Sequence, residues 1–357
     1  MSEAVEVRFG LELGSAWNLL TEQGRSLHDC YRRSLRQTQV AERVGFDAIF
    51  TGHYYARYPV PILQPWPLLG NLASFAGDMQ LGTGILLLPL LHPMDVAEEA
   101  ATVDVLSEGR FILGVGAAYG EELDHFGIEK KTRGRRVEEM IEIIRAMWRG
   151  DRFDFSGDFF ELKGVEPTLL PHSQAGPEIW LAANADAAVR RAARIADTCF
   201  FSPHANLTTL GRQQDLFLEH YGAAERGPRP TWLPLMREAF VAETTAEAKR
   251  LVRPYVERQY HELYISHGQD KVMPADDDRF DLPIDELAHE RFIIGDPETA
   301  VQEIMKYVER GFNYLVLQVP WCEVDDAANE RAIELLGTEV FPRVRELCGA
   351  RGARIAE

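Results

Sequence analysis

The chain has 357 residues, of which 46% are hydrophobic, and 38 basic against 56 acidic residues give a formal net charge of −18. This composition indicates a globular protein and excludes a disordered chain or a coiled coil. The negative charge argues against nonspecific binding to nucleic acid or to anionic membranes, because both need clustered Lys and Arg. The longest apolar run, 85–91, is too short to cross a bilayer, and the N-terminus lacks the features of a signal peptide. We therefore expect a cytoplasmic protein.

Strand-like apolar runs alternate with segments of helical periodicity along most of the chain. The pattern predicts strands at 6–13, 46–51, 80–88, 110–115, 178–182, 198–201, 232–241, 292–294 and 314–319. It predicts helices at 29–44, 68–76, 95–106, 134–148, 184–194, 207–220, 245–263, 297–310 and 325–336. Asp95 and Asn184 are the expected N-caps of two of these helices. A small hairpin, turned at Ser156-Gly157, is predicted near 150–164.

These elements make about eight strand–helix units, in line with the number that a (β/α)8 TIM barrel needs. The strands are nearly continuous apolar runs, as is typical of parallel strands buried on both faces. A doubly wound sheet is the alternative, but it needs an early phosphate-binding fingerprint. The one candidate, 114–120, has the wrong spacing of its third glycine. We therefore predict an α/β protein with a TIM barrel.

In such a barrel the loops after the strands carry the chemistry. These loops hold no catalytic triad, no carboxylate pair at a telling spacing and no cluster of metal ligands, so no metal site is predicted. Small residues around Asn184 leave backbone N–H groups open at a helix N-terminus, which suits a phosphate or a carboxylate. An ordinary helix cap is the alternative there.

One stretch of the chain carries a specific family pattern. The segment QLGTGILLLPLLHPMDVAEEAATVDVLSEGRFILGVG, residues 80–116, resembles the bacterial luciferase-like monooxygenase family. Similar matches extend over almost the whole chain: GFDAIFTGHYY at 45–55, RGRRVEEMIEIIRAMW at 133–148, PEIWLAANADAAVRRAA at 177–193 and RFIIGDPETAVQEI at 291–304. The resemblance implies one luciferase-like TIM-barrel domain over 1–357, with insertions and with a lid loop near 265–290.

The resemblance also implies a site for reduced FMN, or alternatively for a deazaflavin coenzyme, at the mouth of the barrel. A non-prolyl cis peptide bond is expected behind the ring, and the cofactor-binding positions are Gly84, Ile85, Gly116, Ala117, Ala118, Tyr119, Ala183, Asn184, Ala185 and Ser202. The family's phosphate-binding Arg falls on Ala117. This departure suggests either a weakly held flavin, supplied by a separate reductase, or a replacement cation. The basic cluster Lys130, Lys131, Arg133, Arg135 and Arg136 is expected to begin a surface helix, and the alternative is that one of its Arg residues replaces the missing phosphate partner.

A second departure concerns the catalytic position. The family's catalytic His falls on Tyr54, and its neighbouring Glu falls on His53. A tyrosine donates a hydrogen bond but is a poor base at neutral pH, whereas a histidine can do both. His53 and Tyr54 are thus the two candidate catalytic residues. Tyr55, Tyr58 and His204 are expected to border the substrate pocket.

The resulting hypothesis is a monooxygenase that uses reduced FMN and dioxygen to oxygenate a small, largely apolar organic substrate. A homodimer is expected from the resemblance. The first alternative is a deazaflavin-dependent oxidoreductase that transfers hydride. The second alternative is a flavin-binding protein without catalysis, because both the catalytic His and the phosphate Arg are replaced.

Overall fold

A closed barrel of parallel strands forms the centre of the molecule. The computed structural model describes residues 6–13, 24–56, 61–227, 229–265, 279–319 and 324–355. Its strands are Arg8–Glu12 (β1), Ala48–Thr51 (β2), Gln80–Thr83 (β3), Leu86–Leu87 (β4), Phe111–Gly116 (β5), Phe153–Ser156 (β6), Glu161–Val165 (β7), Glu178–Ala183 (β8), Thr198–Phe201 (β9), Pro234–Val241 (β10), Ile293–Gly295 (β11) and Tyr314–Gln318 (β12).

Helices follow most of the barrel strands. They are Leu27–Val44 (α1), Pro65–Leu72 (α2), Pro93–Leu106 (α3), Glu122–His125 (α4), Arg133–Arg149 (α5), Asp186–Ile195 (α6), Leu207–Ala223 (α7), Thr245–Arg258 (α8), Ile284–Ala288 (α9), Pro297–Arg310 (α10), Asp326–Leu335 (α11) and Phe341–Ile355 (α12). Short 3₁₀ turns lie at Leu88–Leu90 and Lys130–Thr132, and π-helical turns at Gln259–Tyr264 and Leu336–Val340.

The strand order establishes the fold. The parallel pairs run β10-β12-β1-β2-β3-β5-β8-β9, and β9 returns to β10 through the pair Phe201 and Leu235. Eight strands therefore close on themselves, while β11 pairs with the second half of β10. The predicted TIM barrel is confirmed, and the doubly wound alternative is wrong.

Aromatic side chains fill the inside of the barrel. Phe50, Trp180, Phe200, Trp232 and Tyr314 are buried there, and the Trp180 ring lies 4.8 Å from that of Tyr314 and 5.6 Å from that of Phe50. Inward-facing side chains of neighbouring strands pack in layers in this fold. The interior is thus a solid core, and a ligand can enter only at its ends.

The predicted strand 80–88 is interrupted. β3 ends at Thr83, the peptide bond between Gly84 and Ile85 is cis, and the chain continues as the two-residue β4 and a 3₁₀ turn. An unbroken apolar pattern cannot reveal such a break, because every residue on either side of it is buried.

The helices differ from the prediction in four details. Helix α3 begins at Pro93, so its N-cap is His92, whose Nδ1 accepts the N–H of Met94; Asp95 lies inside the first turn. Helix α6 is capped by Ala185 rather than Asn184, because the strand before it runs to Ala183. The predicted helix 245–263 changes to π-helical winding at Gln259, and helix α12 was not predicted.

The segment between α5 and β8 contains the antiparallel pair β6–β7, in which Ser156 faces Glu161. The lid loop expected near 265–290 falls largely on residues 266–278, which lie outside the described residues. Within the described ranges, no helix has the length and apolarity that a membrane span requires, and no group of three potential metal ligands occurs.

Gly114 provides a test of the barrel packing. A Cβ at this position would lie 1.9 Å from the carbonyl oxygen of Thr83, a backbone atom that cannot move aside alone. We expect Gly114→Ala to lower the free energy of unfolding by about 3 kcal/mol, at the upper end of the usual cost of overpacking. Gly222→Ala, in α7 with nothing within 4 Å of the new Cβ, is the control. Chemical denaturation gives the free energy of unfolding of both variants. Equal values for the two would refute the close packing at Gly114.

Candidate active site

A cavity of about 780 Å³ opens at the carboxyl ends of the barrel strands. Glu12 ends β1, Gly116 ends β5, Ala183 ends β8 and Phe201 ends β9, and all four line it. Enzymes built on this fold place their active sites at this face, where loops from several strands converge. The cavity is therefore the candidate active site.

Most of the residues that the sequence predicts for the site meet in this cavity. Its lining includes His53, Tyr54, Gly84, Ile85, Gly116, Ala117, Ala118, Tyr119, Ala183, Asn184, Ala185, Ser202 and His204. Tyr55 is not part of the lining; its ring packs 4.6 Å from that of His53 and 4.9 Å from that of Phe126. Tyr58 lies outside the described residues.

One end of the cavity is suited to a phosphate. Helix α6 begins there at Asp186, and no side chain caps it, so the backbone N–H groups of Asp186 and Ala187 remain available, while that of Ala188 donates to Ala185. Ala183, Ala185, Ala187 and Ala188 line this end and leave the backbone uncovered. A helix N-terminus favours an anion through its N–H groups and its dipole.

Cations surround the same end. The lysines and arginines of the lining are Lys130, Lys131, Arg133, Arg135 and Arg191. Four of them pair with carboxylates: Lys130 with Asp124, Lys131 with Glu129, Arg135 with Asp158 and Arg191 with Glu138. Arg136 does not line the cavity and stacks on the ring of Phe159. The segment that the sequence offered as a source of a replacement cation thus does reach the cavity.

Arg191 is the cation that sequence reasoning missed. Its Nε donates to Glu138 at 2.7 Å, and its guanidinium lies against Gly134, where a Cβ would be 2.5 Å from Nη2. Only a glycine permits this approach at the beginning of α5. The signal was present in the spacing, since Arg191 follows Ala187 by four residues and so shares its helix face.

His53 is held by a hydrogen bond to its ring. Its Nδ1 accepts the N–H of Leu87 at 3.1 Å. Burial lowers the pKa of His53 to about 4, against a smaller rise from the side chain of Gln64. His53 is therefore neutral at pH 7, and its Nδ1 is engaged within the protein. This arrangement favours Tyr54 over His53 as the group that meets a ligand.

Glu12 is a second residue that the sequence analysis did not single out. It is 4% exposed, it accepts the N–H of Gly52, and its Oε2 has no hydrogen-bond partner. Burial raises the pKa of this carboxyl to about 8, so it is protonated at neutral pH. The signal was an acid at the end of the apolar strand 6–13, where a barrel strand meets the active site.

The rest of the lining carries no lysine or arginine in the part of the chain that the structure describes. It combines apolar and aromatic side chains, namely Tyr54, Ile85, Leu87, Met236 and Tyr264, with the neutral His204. Burial, with Arg237 and Arg291 nearby, lowers the pKa of His204 to about 3. This wall suits a largely apolar ligand.

Comparison with known proteins agrees with this geometry. A model of the luciferase-like monooxygenase family matches residues 14–314. The F420-dependent glucose-6-phosphate dehydrogenase of Microbacterium testaceum is 28% identical over 336 residues, covering 86% of this chain and 91% of the relative. The oxygenase component of the flavin-dependent trigonelline monooxygenase of Acinetobacter baylyi is 33% identical over 156 residues, 43% of either chain.

A solved structure shares the fold. The oxygenating constituent of 3,6-diketocamphane monooxygenase from Pseudomonas putida, in complex with FMN, superimposes with a TM-score of 0.80 at 22% identity, covering 95% of this chain and 99% of the other.

Proposed function

The chain belongs to the luciferase-like monooxygenase family, and from this membership we propose that it is an FMN-dependent monooxygenase acting on a small, largely apolar organic substrate. Its relatives are oxidoreductases that use either a flavin or the deazaflavin F420. We propose FMN rather than F420 as the cofactor and a small, largely apolar molecule as the substrate.

The cavity has the features that a phosphate-tailed ring cofactor needs. The uncapped beginning of α6, with Arg133 and Arg191 beside it, would hold the phosphate. Gly84 lines the cavity without a side chain, and the side chain of Ile85 packs over Gly116 beside it. When bound, reduced FMN would supply the two electrons that the reduction of dioxygen requires. The protein would orient the substrate through Tyr54 and exclude water with the apolar wall.

The distribution of cations carries the proposal. Among the described residues, the five lining cations come from the segment 130–135 and from Arg191, which touches that segment at Gly134. The described part of the cavity therefore offers one anion site. The cofactor phosphate would occupy it, which leaves no described cation for a phosphorylated substrate. A sugar phosphate, such as the one named for the F420-dependent relative, would lack a partner.

The same observation supports a separate reductase as the source of reduced FMN. A nicotinamide dinucleotide brings a pyrophosphate of its own, and the described cavity has no second cluster of cations to receive it. Reduced flavin would then arrive from a partner enzyme.

A deazaflavin-dependent oxidoreductase is the second candidate. It is favoured by the relatives that match along 86% of this chain, which are F420-dependent. Glu12 adds a specific observation, because a carboxyl with a pKa of about 8 is protonated at neutral pH and can donate its proton to a carbonyl oxygen as hydride is transferred to the carbonyl carbon.

Anaerobic titration with reduced FMN and, separately, with reduced F420, followed by admission of air, tests the proposal. We expect selective binding of reduced FMN and consumption of oxygen by the complex. Selective binding of reduced F420 without oxygen consumption would assign the chain to the second candidate. Binding of neither would contradict both.

Arg191 allows a matched test of the phosphate site. Arg191→Met should weaken binding of reduced FMN by about 10- to 100-fold, because a hydrogen bond to a charged group contributes about 1.5–3 kcal/mol. Arg194→Met is the control, since Arg194 lies on the same helix and also pairs with Glu138, at 3.2 Å, but does not line the cavity. Equal affinity of both variants, measured in the same titration, would place the phosphate elsewhere.

A further inference from the structure

A chain of hydrogen bonds leads from the cavity wall into the protein. The Nδ1 of His204 lies 3.2 Å from the hydroxyl oxygen of Tyr260, and that hydroxyl donates to Oε1 of Glu238 at 2.5 Å. Tyr260 and Glu238 are at most 1% exposed, whereas His204 lines the cavity. The chain therefore connects a ligand site with a buried carboxyl.

The hydrogen bonds determine the tautomer of His204. A phenol has one hydrogen to donate, and the Tyr260 hydroxyl gives it to Glu238. The Nδ1 of His204 must then donate to Tyr260, which leaves Nε2 as an acceptor. No described residue bonds to Nε2. The unoccupied acceptor is therefore available to a ligand in the cavity.

The position of His204 is well supported. The buried guanidinium of Arg237 donates to the carbonyl oxygens of Ser202, Pro203 and Ala205, which hold the loop on both sides of the histidine. The rings of Tyr264 and Phe280 pack against the imidazole at 4.7 and 5.5 Å. The acceptor is thus presented in one orientation.

The charged groups around these hydrogen bonds favour Glu238 as the residue that holds the proton. Burial raises its pKa to about 7, against the lowering effects of the Tyr260 hydrogen bond, Arg237 and Arg291. Burial, Arg237 and Arg291 together keep His204 neutral. Tyr264 is the remaining titratable group facing Glu238, and its pKa is raised well above 10. The Oε2 atom of Glu238 is buried and has no hydrogen-bond partner.

We propose that His204, Tyr260 and Glu238 form a proton relay that accepts the proton of an acidic hydroxyl on the substrate, so that the substrate is a largely apolar phenol or enol. The substrate O–H gives its proton to Nε2 of His204, Nδ1–H passes one to the oxygen of Tyr260, and the Tyr260 hydroxyl passes one to Oε1 of Glu238. One proton moves in net from the substrate to Glu238, and no group is oxidised or reduced. His204 ends as the Nε2–H tautomer, and Glu238 ends protonated.

The relay adds a substrate class to the proposed function. It rests on that function only in requiring that the substrate binds in this cavity. An electron-rich phenolate or enolate is more readily oxygenated than the neutral molecule. His204 is the residue that would touch the substrate, while Tyr260 and Glu238 are positioning residues that act through it.

The tautomer of His204 can be measured without cofactor or substrate. In ¹⁵N-histidine-labelled protein, the signal of His204 is identified among the ten histidines by its loss in His204→Phe. We expect Nδ1–H above about pH 8 and Nε2–H below about pH 6, because protonated Glu238 donates to Tyr260, which then donates to His204. The change should follow the ionisation of Glu238, with a midpoint near the pKa of about 7.

Matched variants separate the relay from simple packing. Glu238→Gln and Tyr260→Phe should abolish the pH-dependent change. Tyr264→Phe should retain it, because that ring touches His204 while its hydroxyl is not part of the chain. A single tautomer of His204 in the wild-type protein from about pH 5.5 to about pH 8.5 would overturn the relay, whatever the variants do.

The substrate class is tested with 4-nitrophenol, whose phenolate is coloured. We expect the wild-type protein to bind it as the phenolate and to lower its apparent pKa by at least about one unit, a tenfold shift in the ionisation equilibrium. Glu238→Gln should remove that shift. The proposal would be overturned if millimolar 4-nitrophenol did not bind, or if its spectrum were the same with the wild-type protein and with Glu238→Gln. Failure of FMN to bind in the anaerobic titration would leave this result unaffected, so the two proposals fail separately.

Discussion

Replacing Gly84 by leucine is expected to abolish binding of the reduced cofactor while the protein stays folded. A Cβ at Gly84 would lie 3.1 Å from Oε2 of Glu12, 3.2 Å from Cε of Met236 and 3.4 Å from Cβ of Phe50. The space behind the new atom is already filled, so further carbons must extend into the cavity that Gly84 lines. We expect at least a ~1,000-fold loss of affinity for reduced FMN, or about 4 kcal/mol.

A graded series makes this result specific. Gly84→Ala adds one methyl group and should weaken binding by about tenfold, which corresponds to about 1.4 kcal/mol. Gly222→Leu adds the same side chain where nothing lies within 4 Å, and it should bind as the wild type does. Thermal denaturation establishes that each variant is folded. An unchanged titration in folded Gly84→Leu would remove Gly84 from the cofactor site.

The sequence predicted the barrel because its evidence is local and repeated. Apolar runs such as 110–115 and 314–319 alternate with amphipathic helices, and each such unit is visible without its neighbours. The same reasoning failed where two distant segments determine the local structure. The break at Gly84 depends on Thr83 meeting Gly114, 31 residues later, which no periodicity records.

The site was predicted in outline for a similar reason. Residues in loops directly after strands, such as His53 and Asn184, could be assigned to the mouth from the fold alone. The spacing of Arg191 from Ala187 indicates its helix face, but its close approach to Gly134, 57 residues earlier, is visible only in the structure. Sequence position likewise cannot distinguish His53 from Tyr54, because the difference is that the backbone N–H of Leu87 engages the His53 ring.

Glu12 is expected to make the stability of the protein depend strongly on pH. Its pKa rises from 4.5 to about 8 on folding because burial disfavours the charged carboxylate. Between these two values the folded state binds the proton more tightly than the unfolded state does. The stabilisation is therefore fully present below about pH 4.5 and is lost as the pH rises through about 8. At 1.36 kcal/mol per pKa unit, the loss amounts to about 5 kcal/mol.

Glu12→Gln removes this dependence and keeps the shape of the side chain, whose carbonyl can still accept the N–H of Gly52. We expect urea denaturation at a series of pH values to show curves for the two proteins that converge below about pH 4.5 and separate increasingly up to about pH 8, with the variant the more stable. Contributions from other groups, including the raised pKa of Glu238, are common to both proteins and cancel in the difference. Parallel curves would show that Glu12 is ionised in the folded protein at neutral pH. The cavity would then hold a negative charge beside Gly84, which a cofactor with an anionic reduced ring would avoid. The pH dependence of stability thus tests whether this end of the cavity is neutral, as the proposed site requires.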